Sequence, residues 1–216
     1  MINKPKIKIT KNGPYLVSDS LPLNKDIVEY DDQGYPLKTK KGETIKTPKD
    51  YALCRCGHSK NKPFCDGSHH SVNFDGTENP QAKQKYEDQA DRIDGPDLIL
   101  KDNKSLCVGA GFCDRAGGAW ALTENSKDPQ AKELATEEAC CCPSGRLVAC
   151  NKKTGQAIEP KLDKSIGISE NGPLCVKGGV PIESVDACTY ENRNRVTLCR
   201  CGKSKNKPFC DGSHFK

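Results

Sequence analysis

The sequence predicts an α+β fold in which two small β-rich units flank a third small unit built from helices and strands. A 16-residue string rich in cysteine occurs twice, once from residue 54 and again from residue 199. Short strand-like segments separated by turn residues precede each copy. The segment between the copies has a helical pattern and cysteines of its own. We therefore expect domains at residues 1–75, 76–163 and 164–216.

The composition predicts that something other than a large hydrophobic core stabilises the chain. Only 34% of the 216 residues are hydrophobic and 6% are aromatic. A chain of this kind is expected to rely on disulfides, metals or oligomerisation. Its 14 cysteines make the first two of these the leading candidates.

The N-terminus and the charge pattern predict the compartment and exclude some partners. Residues 1–6 are not followed by an apolar signal region, and no stretch approaches the roughly 20 apolar residues of a membrane span. We expect a cytoplasmic protein without membrane contact, in which clustered cysteines bind metal rather than form disulfides. The net charge of +5 is spread among interspersed acidic and basic residues and does not indicate nucleic acid as a partner.

The two β-rich units are predicted from an internal repeat that extends upstream of the cysteine strings. The sequence ITKNGP at residues 9–14 matches ISENGP at residues 168–173. Each copy is expected to begin with a strand, turn at Asn-Gly-Pro, add further short antiparallel strands and end in the cysteine string. The repeat indicates two halves of similar structure.

The middle unit is predicted from local patterns. Residues 81–92 are expected to form a short surface helix, residues 97–101 a strand, residues 128–139 a helix and residues 147–149 a strand. Pro129 is placed well for the first turn of the second helix. The unit is expected to end near residue 160.

The repeated string has the spacing of a metal site. Cys54 and Cys56 are separated by one residue, eight residues lead to Cys65, and three more lead to His69. Cys65 and His69 stand four positions apart, so a helical turn would place both on one face. The second copy repeats the pattern with Cys199, Cys201, Cys210 and His214.

Three interpretations of the string compete. Chance cysteines in a loop are disfavoured by the duplication, in which only His58 and Lys203 differ. A structural zinc site is the second interpretation, but paired zinc ligands usually have two to four residues between them. The third interpretation, a [2Fe–2S] cluster with two thiolates on one iron and a Cys/His pair on the other, is favoured.

The string C-x-C-x2-S-x3-P-x-C-D-G-S-H resembles the CDGSH, or NEET, iron–sulfur family, and both copies match it at every defining position. The resemblance implies two [2Fe–2S] clusters, one ligated by Cys54, Cys56, Cys65 and His69 and one by Cys199, Cys201, Cys210 and His214. Mitochondrial members of the family pair as homodimers. Because this chain carries both copies itself, the resemblance implies an intramolecular pseudo-dimer, and we expect the chain to be a monomer.

The single histidine in each site has a chemical consequence. A neutral imidazole in place of a thiolate makes a cluster less negative and raises its reduction potential. An imidazole released from metal also takes up a proton near neutral pH. Acidification toward pH 5 is therefore expected to bleach the visible absorbance.

The middle unit resembles a divergent single-cluster ferredoxin domain. Cys107 and Cys113 stand in a C-x5-C spacing, and a run of three cysteines, Cys140 to Cys142, precedes Pro143. Cys107, Cys113 and Cys142 carry the resemblance, and Ala110 stands where a bacterial ferredoxin has another cysteine. A third cluster would be [3Fe–4S] with three thiolates, or [4Fe–4S] with Cys140 as the nearest fourth ligand. An unoccupied ferredoxin-like remnant is the alternative.

The remaining cysteines and Trp120 are interpreted as structural. Cys150, Cys175 and Cys188 are expected to be small core residues and Trp120 a core anchor. Four lysines flank the repeated strings and form either an ordinary solvated surface or a basic rim for an acidic redox partner: Lys60, Lys62, Lys205 and Lys207.

No nucleophile–base pair, phosphate loop or dinucleotide fingerprint is present, so we expect a protein that is not an enzyme. The leading function is one-electron transfer to a redox partner protein. The alternatives are a cluster-transfer or storage protein that supplies apo-acceptors, and a scaffold stabilised by metal. In all three cases the apo-protein is expected to be largely unfolded.

Overall fold

Residues 4–215, the part of the chain that this computed structural model describes, form three sheets, three α-helices and several short 3-10 turns. The first part of the chain comprises β1 (Ile7–Ile9), β2 (Tyr15–Val17), β3 (Leu23–Tyr30), β4 (Pro36–Ile45), β5 (Tyr51–Leu53) and α1 (Ser68–Ser71). The middle part comprises β6 (Asp91–Asp94), β7 (Leu98–Asp102), α2 (Gly118–Glu124), α3 (Pro129–Cys141), β8 (Leu147–Asn151) and β9 (Ala157–Ile158). The last part comprises β10 (Ser165–Ile168), β11 (Leu174–Lys177), β12 (Ile182–Glu183) and β13 (Arg195–Leu198).

The first and last parts of the chain exchange strands. One sheet has the order β12-β1-β2-β5 and another the order β13-β11-β10-β3-β4. β12 pairs with β1, and β3 pairs with β10, in parallel in both cases. The first sheet therefore receives β12 from the last part of the chain, and the second receives β3 and β4 from the first part. The expectation of antiparallel strands within each unit missed these two parallel pairings. The paired residues are 175 positions apart for Ile7 and Ile182 and 143 apart for Leu23 and Ile166, and such pairs leave no local turn signal.

The exchange produces a larger core than the composition predicts. A single cluster of buried side chains runs through both halves and includes Ile7, Leu23, Leu53, Ile166 and Leu198. The expectation of only a small core was wrong, because two sheets share their apolar faces and the polar residues are concentrated in loops and in β4.

The middle unit forms its own sheet, in the order β6-β7-β8-β9, against which α2 and α3 pack. Leu98 and Leu100 of β7 meet Ala135 and Ala139 of α3 in a second buried cluster. The predicted strands at residues 97–101 and 147–149 are confirmed as β7 and β8. The sequence did not reveal the edge strands β6 and β9.

The two helix predictions for the middle unit had opposite outcomes. α3 is confirmed: the Asp128 side chain accepts a hydrogen bond of 3.1 Å from the Gln130 N–H, and Pro129 occupies the first turn. The helix expected at residues 81–92 was wrong. Two 3-10 turns, Pro80–Lys83 and Tyr86–Asp88, stand there, followed by β6. The segment is tied to the rest of the chain instead, with the Tyr86 N–H donating to Glu191 at 2.6 Å.

The sequence also missed the length of the hairpin formed by β3 and β4. The two strands have 8 and 10 residues and were expected to be short. Most side chains in the outer part of the hairpin are exposed, so its strands lack the apolar alternation by which a strand is recognised.

Candidate metal centres

The four predicted ligands of the first string are brought together as two pairs. The Cys54 and Cys56 sulfurs are 3.8 Å apart, and the Cys65 sulfur lies 3.4 Å from Nδ1 of His69. Cys54 follows β5, and its N–H donates to the Pro63 carbonyl at 2.8 Å. His69 lies in α1, which begins later than the sequence suggested, with Gly67 as its N-cap.

The second string repeats this geometry. The Cys199 and Cys201 sulfurs are again 3.8 Å apart, and the Cys210 sulfur is again 3.4 Å from Nδ1 of His214. The loop is held in the same way, with the Cys199 N–H donating to the Pro208 carbonyl at 2.9 Å. Both loops contain a cis proline at the equivalent position.

These spacings are those of ligands that share a metal ion. In a tetrahedral site with thiolate and imidazole ligands, two sulfurs of one ion lie about 3.8 Å apart, and a sulfur and a nitrogen about 3.5 Å apart. Each pair therefore fits one ion. Within residues 4–215, however, no three Cys, His, Asp or Glu side chains converge in a way that would hold a single ion. Each string therefore presents two separate pairs of candidate ligands.

The protonation of the ligands suits metal entry. Burial lowers the pKa of His69 and of His214, with His70 and Arg200 acting in the same direction, which favours the neutral form of the ring that can bind a metal. The hydrogen bond with the Cys199 thiol lowers the pKa of Cys201. Burial raises the pKa of Cys210 to about 12, so metal binding must displace its proton.

The two strings meet back to back. Gly57 and Gly202, which directly follow the ligands Cys56 and Cys201, each lie against the other string. A β-carbon on Gly202 would lie 2.5 Å from the Cys56 carbonyl oxygen, and one on Gly57 would collide with the Cys201 carbonyl. Only glycine permits this reciprocal approach.

The surroundings of the two strings differ. In the first string Asn61 is exposed and Pro63, Phe64 and Cys65 are partly exposed. Their counterparts in the second string are buried: Asn206, Pro208, Phe209 and Cys210. The middle unit provides this cover: the Asn206 amide donates to the Ser105 carbonyl at 3.0 Å.

A third candidate site lies in the middle unit. Cys107, Cys113 and Cys142, the three cysteines that carried the ferredoxin resemblance, line one cavity of about 140 Å³. The cavity has room for a polyatomic group rather than a single ion. Burial, followed by the charge of Asp114, raises the pKa of the Cys113 thiol to about 12. The donor set fits an iron–sulfur cluster held by thiolates.

A charged network that the sequence did not reveal borders this cavity. Arg146 donates to the Cys107 sulfur at 3.0 Å and makes a bidentate ion pair with the buried Asp102 at 2.6 and 2.9 Å. The Trp120 ring N–H also donates to Asp102, at 3.0 Å. Trp120 also lines the cavity, so it is part of the candidate site and not only the core residue that the sequence predicted. Arg146 stands four residues after Cys142, but its partner Asp102 could not be found from local sequence.

Cys140 does not line the cavity. Its thiol lies 3.5 Å from the Ile158 carbonyl. The cavity is lined by the acidic side chain of Asp114, which could take the place of Cys140 as a fourth donor. Among the cysteines predicted to be structural, Cys150 and Cys175 are buried as expected. Cys188 is exposed, so its prediction as a core residue was wrong.

Comparison with known proteins identifies the class of protein and the families that its segments match. Residues 12–70 and 171–215 match the family described as "Iron-binding zinc finger CDGSH type". Residues 93–152 match the family described as "Divergent 4Fe-4S mono-cluster". The fold, the paired donors and these matches define an iron–sulfur protein. The chain carries two segments that match the CDGSH family, on either side of a segment that matches the divergent mono-cluster family.

A curated relative agrees with this assignment. The human "CDGSH iron-sulfur domain-containing protein 3, mitochondrial" is 29% identical over 79 residues. The alignment covers 33% of this chain and 58% of the relative, so the chain spans little more than half of that protein. No solved structure matches the chain. Among the described residues, no helix combines the length and apolar character needed to cross a bilayer.

Proposed function

We propose that this chain binds [2Fe–2S] clusters at its two CDGSH strings and carries single electrons between protein partners, without catalysing a reaction of its own. The paired geometry of the donors carries the proposal. Two sulfurs at 3.8 Å and a sulfur and nitrogen at 3.4 Å occur identically in both strings, as two ligand pairs on neighbouring irons require. Bound clusters would supply one-electron redox chemistry.

The ligand assignment follows from the same pairs. Cys54 and Cys56 would hold one iron, and Cys65 and His69 the other. The second string would bind in the same way through Cys199 with Cys201 and Cys210 with His214. The exchanged strands and the reciprocal glycine contacts support an intramolecular pseudo-dimer.

A third cluster in the middle unit is part of the proposal. Cys107, Cys113 and Cys142 would be its thiolate ligands, which suits [3Fe–4S], whereas [4Fe–4S] would need one more ligand. Asp114 at the cavity is better placed for that role than Cys140. We also propose a cytoplasmic location and a monomeric state.

Metal analysis with redox spectroscopy tests the proposal. Anaerobically purified protein should contain iron and acid-labile sulfide but no stoichiometric zinc. Each [2Fe–2S] centre should take up one electron reversibly in a potentiometric titration followed by EPR. Stoichiometric zinc, or iron that cannot be reduced reversibly, would overturn electron transfer.

Cluster transfer is the second candidate, and the exposure of the first string favours it. Cys65 is partly exposed, and a β-carbon on Gly67 in the same loop would meet no atom within 4 Å. An acceptor could therefore approach this ligand pair. Handover of the visible colour to an apo-ferredoxin, faster than dilution alone releases it, would favour this function over electron transfer.

A further inference from the structure

The second CDGSH string lies against the middle cavity, and the first does not. Gly212, between the ligands Cys210 and His214, sits next to Cys107: a β-carbon there would lie 3.3 Å from the Cys107 carbonyl oxygen. Gly67, the counterpart of Gly212 in the first string, has open space around it.

A second contact joins the same two sites. The rings of His214 and Phe215 have centroids 4.1 Å apart, and Phe215 lies over Gly109, two residues after the cavity ligand Cys107. A β-carbon on Gly109 would be 3.0 Å from that ring. Phe215 keeps 70% of its surface exposed, so this contact lies at the edge of the junction. The counterpart of Phe215 in the first string is His70, which is exposed beside His69.

The first and second strings are joined by a junction of their own. Gly57 and Gly202 place the backbones of Cys56 and Cys201 in contact. The Tyr15 hydroxyl, from the first half, donates to the carbonyl of the second-string ligand Cys199 at 2.8 Å. The second string therefore touches both other sites.

We infer that the three sites form a linear relay in the order first string, second string, middle cavity. The inference rests on the proposed electron-transfer function and adds the order of the sites. The burial pattern agrees with it: Asn206 of the second string is buried and Lys207 is partly buried, whereas their counterparts Asn61 and Lys62 in the first string are exposed. The two copies are almost identical in sequence but have different roles: the second string is the middle site of the relay, and the first string is one of its ends.

Each step of the relay moves one electron between neighbouring sites. The donor site is oxidised by one electron and the acceptor site is reduced by one, and no bond is made or broken. One end exchanges electrons with a one-electron donor protein of the flavin or iron–sulfur class. The other end exchanges them with an oxidised protein of the same classes, so the charge balances. The potentials of the partners determine the direction of flow.

Spin coupling measured by EPR tests the order, because coupling between paramagnetic centres weakens with distance. The intact chain, reduced stepwise with dithionite, should show faster relaxation of the middle-site signal whenever the second string is also paramagnetic. Removing the first site, with Cys65→Ser combined with His69→Ala, should leave the relaxation of the middle site unchanged. Loss of its enhanced relaxation in this variant would overturn the order.

A pair of matched variants tests the junction itself. Gly212→Ala and Gly67→Ala place a methyl group at equivalent positions with similar positive φ angles of 81° and 87°, so both carry similar backbone strain. Only the methyl at position 212 presses on Cys107. Gly212→Ala should shift the middle-site EPR spectrum and weaken its coupling to the second string, and Gly67→Ala should do neither. Equal effects, or none from Gly212→Ala, would refute the junction.

The outcomes separate this inference from the function on which it rests. If dithionite produces no reversible paramagnetic state, electron transfer fails, whatever the order of the sites. If all three signals appear but the middle site couples to the first string more strongly than to the second, electron transfer stands and the linear order is wrong.

Discussion

Arg195 of β13 is the strongest single link between the second CDGSH half and the middle unit. Its side chain is 4% exposed. It donates to the carbonyls of Ala139 at 2.6 Å and Cys142 at 2.7 Å, at the C-terminal end of α3, and forms a bidentate ion pair with Glu159 at 2.7 and 2.9 Å. A cation at the C-terminal end of a helix also interacts favourably with the negative end of the helix dipole. We therefore predict that Arg195→Met is severely destabilising.

The magnitude follows from what the substitution leaves behind. Removing one partner of a fully buried ion pair costs about 3–5 kcal/mol, because the other charge loses its compensation. Glu159 is 27% exposed, so this figure is an upper limit for its pair with Arg195. Each buried acceptor left without a donor costs about 1–3 kcal/mol, and these costs overlap. We expect a loss of about 4 kcal/mol, which would lower the urea midpoint by about 1–2 M for a chain of this size. The middle site should also lose iron first, since Arg195 holds the backbone of Cys142.

The assay is anaerobic urea unfolding followed by far-UV circular dichroism, with iron content measured in parallel. Arg92→Met is the matched control, because Arg92 makes a similar bidentate pair with Asp94 but both side chains are about half exposed. The control midpoint should stay at the wild-type value, as is common for surface ion pairs. A midpoint for Arg195→Met close to that of the control would refute the argument.

Three further predictions concern Arg146 at the cavity, the buried Glu138 of α3 and the glycine junction. Arg146→Met should lower the reduction potential of the middle site in a potentiometric titration, because the cation hydrogen-bonded to its thiolate is lost; an unchanged potential would contradict this. Burial raises the pKa of Glu138 to about 7, so its ionisation costs stability as pH rises from about 4.5 through 7. Glu138→Gln should thus raise the free energy of unfolding at pH 8 by at most about 3 kcal/mol and have little effect at pH 5, as measured by thermal unfolding; equal effects at both pH values would count against burial as the cause. Gly202→Ala should cost at least about 2 kcal/mol, measured by urea unfolding, since its methyl meets the Cys56 carbonyl at a positive φ angle. Gly155→Ala, at a positive φ angle in open space, is the control and should cost clearly less.

The sequence predicts the ligand strings well because their chemistry is local. Within each 16-residue string the spacing alone brings Cys65 near His69 and Cys54 near Cys56. α3 was predictable for the same reason, since Asp128 and Pro129 mark its start within three residues. Patterns that a single turn or helix can satisfy are visible in one sequence.

The features that the sequence did not predict depend on contacts between residues that are far apart in the chain. The parallel pairing of β1 with β12 joins Ile7 to Ile182, and nothing near either residue indicates it. The Arg146–Asp102 pair is similarly a product of the fold rather than of spacing. The underestimated core has the same origin, because counting apolar residues cannot show that two halves will share their sheets.

The insertion of the middle unit explains how two nearly identical strings acquire different surroundings. The strings keep the same ligands and the same glycines at their mutual contact, because the reciprocal approach of Gly57 and Gly202 tolerates no side chain. The positions that face away from that contact are free to differ in environment, and the middle unit covers them on one side only. On that side Asn206 binds the Ser105 carbonyl, whereas its counterpart Asn61 is exposed to solvent. Two sites with the same candidate ligands thus have different surroundings, because the middle unit lies against only one of them.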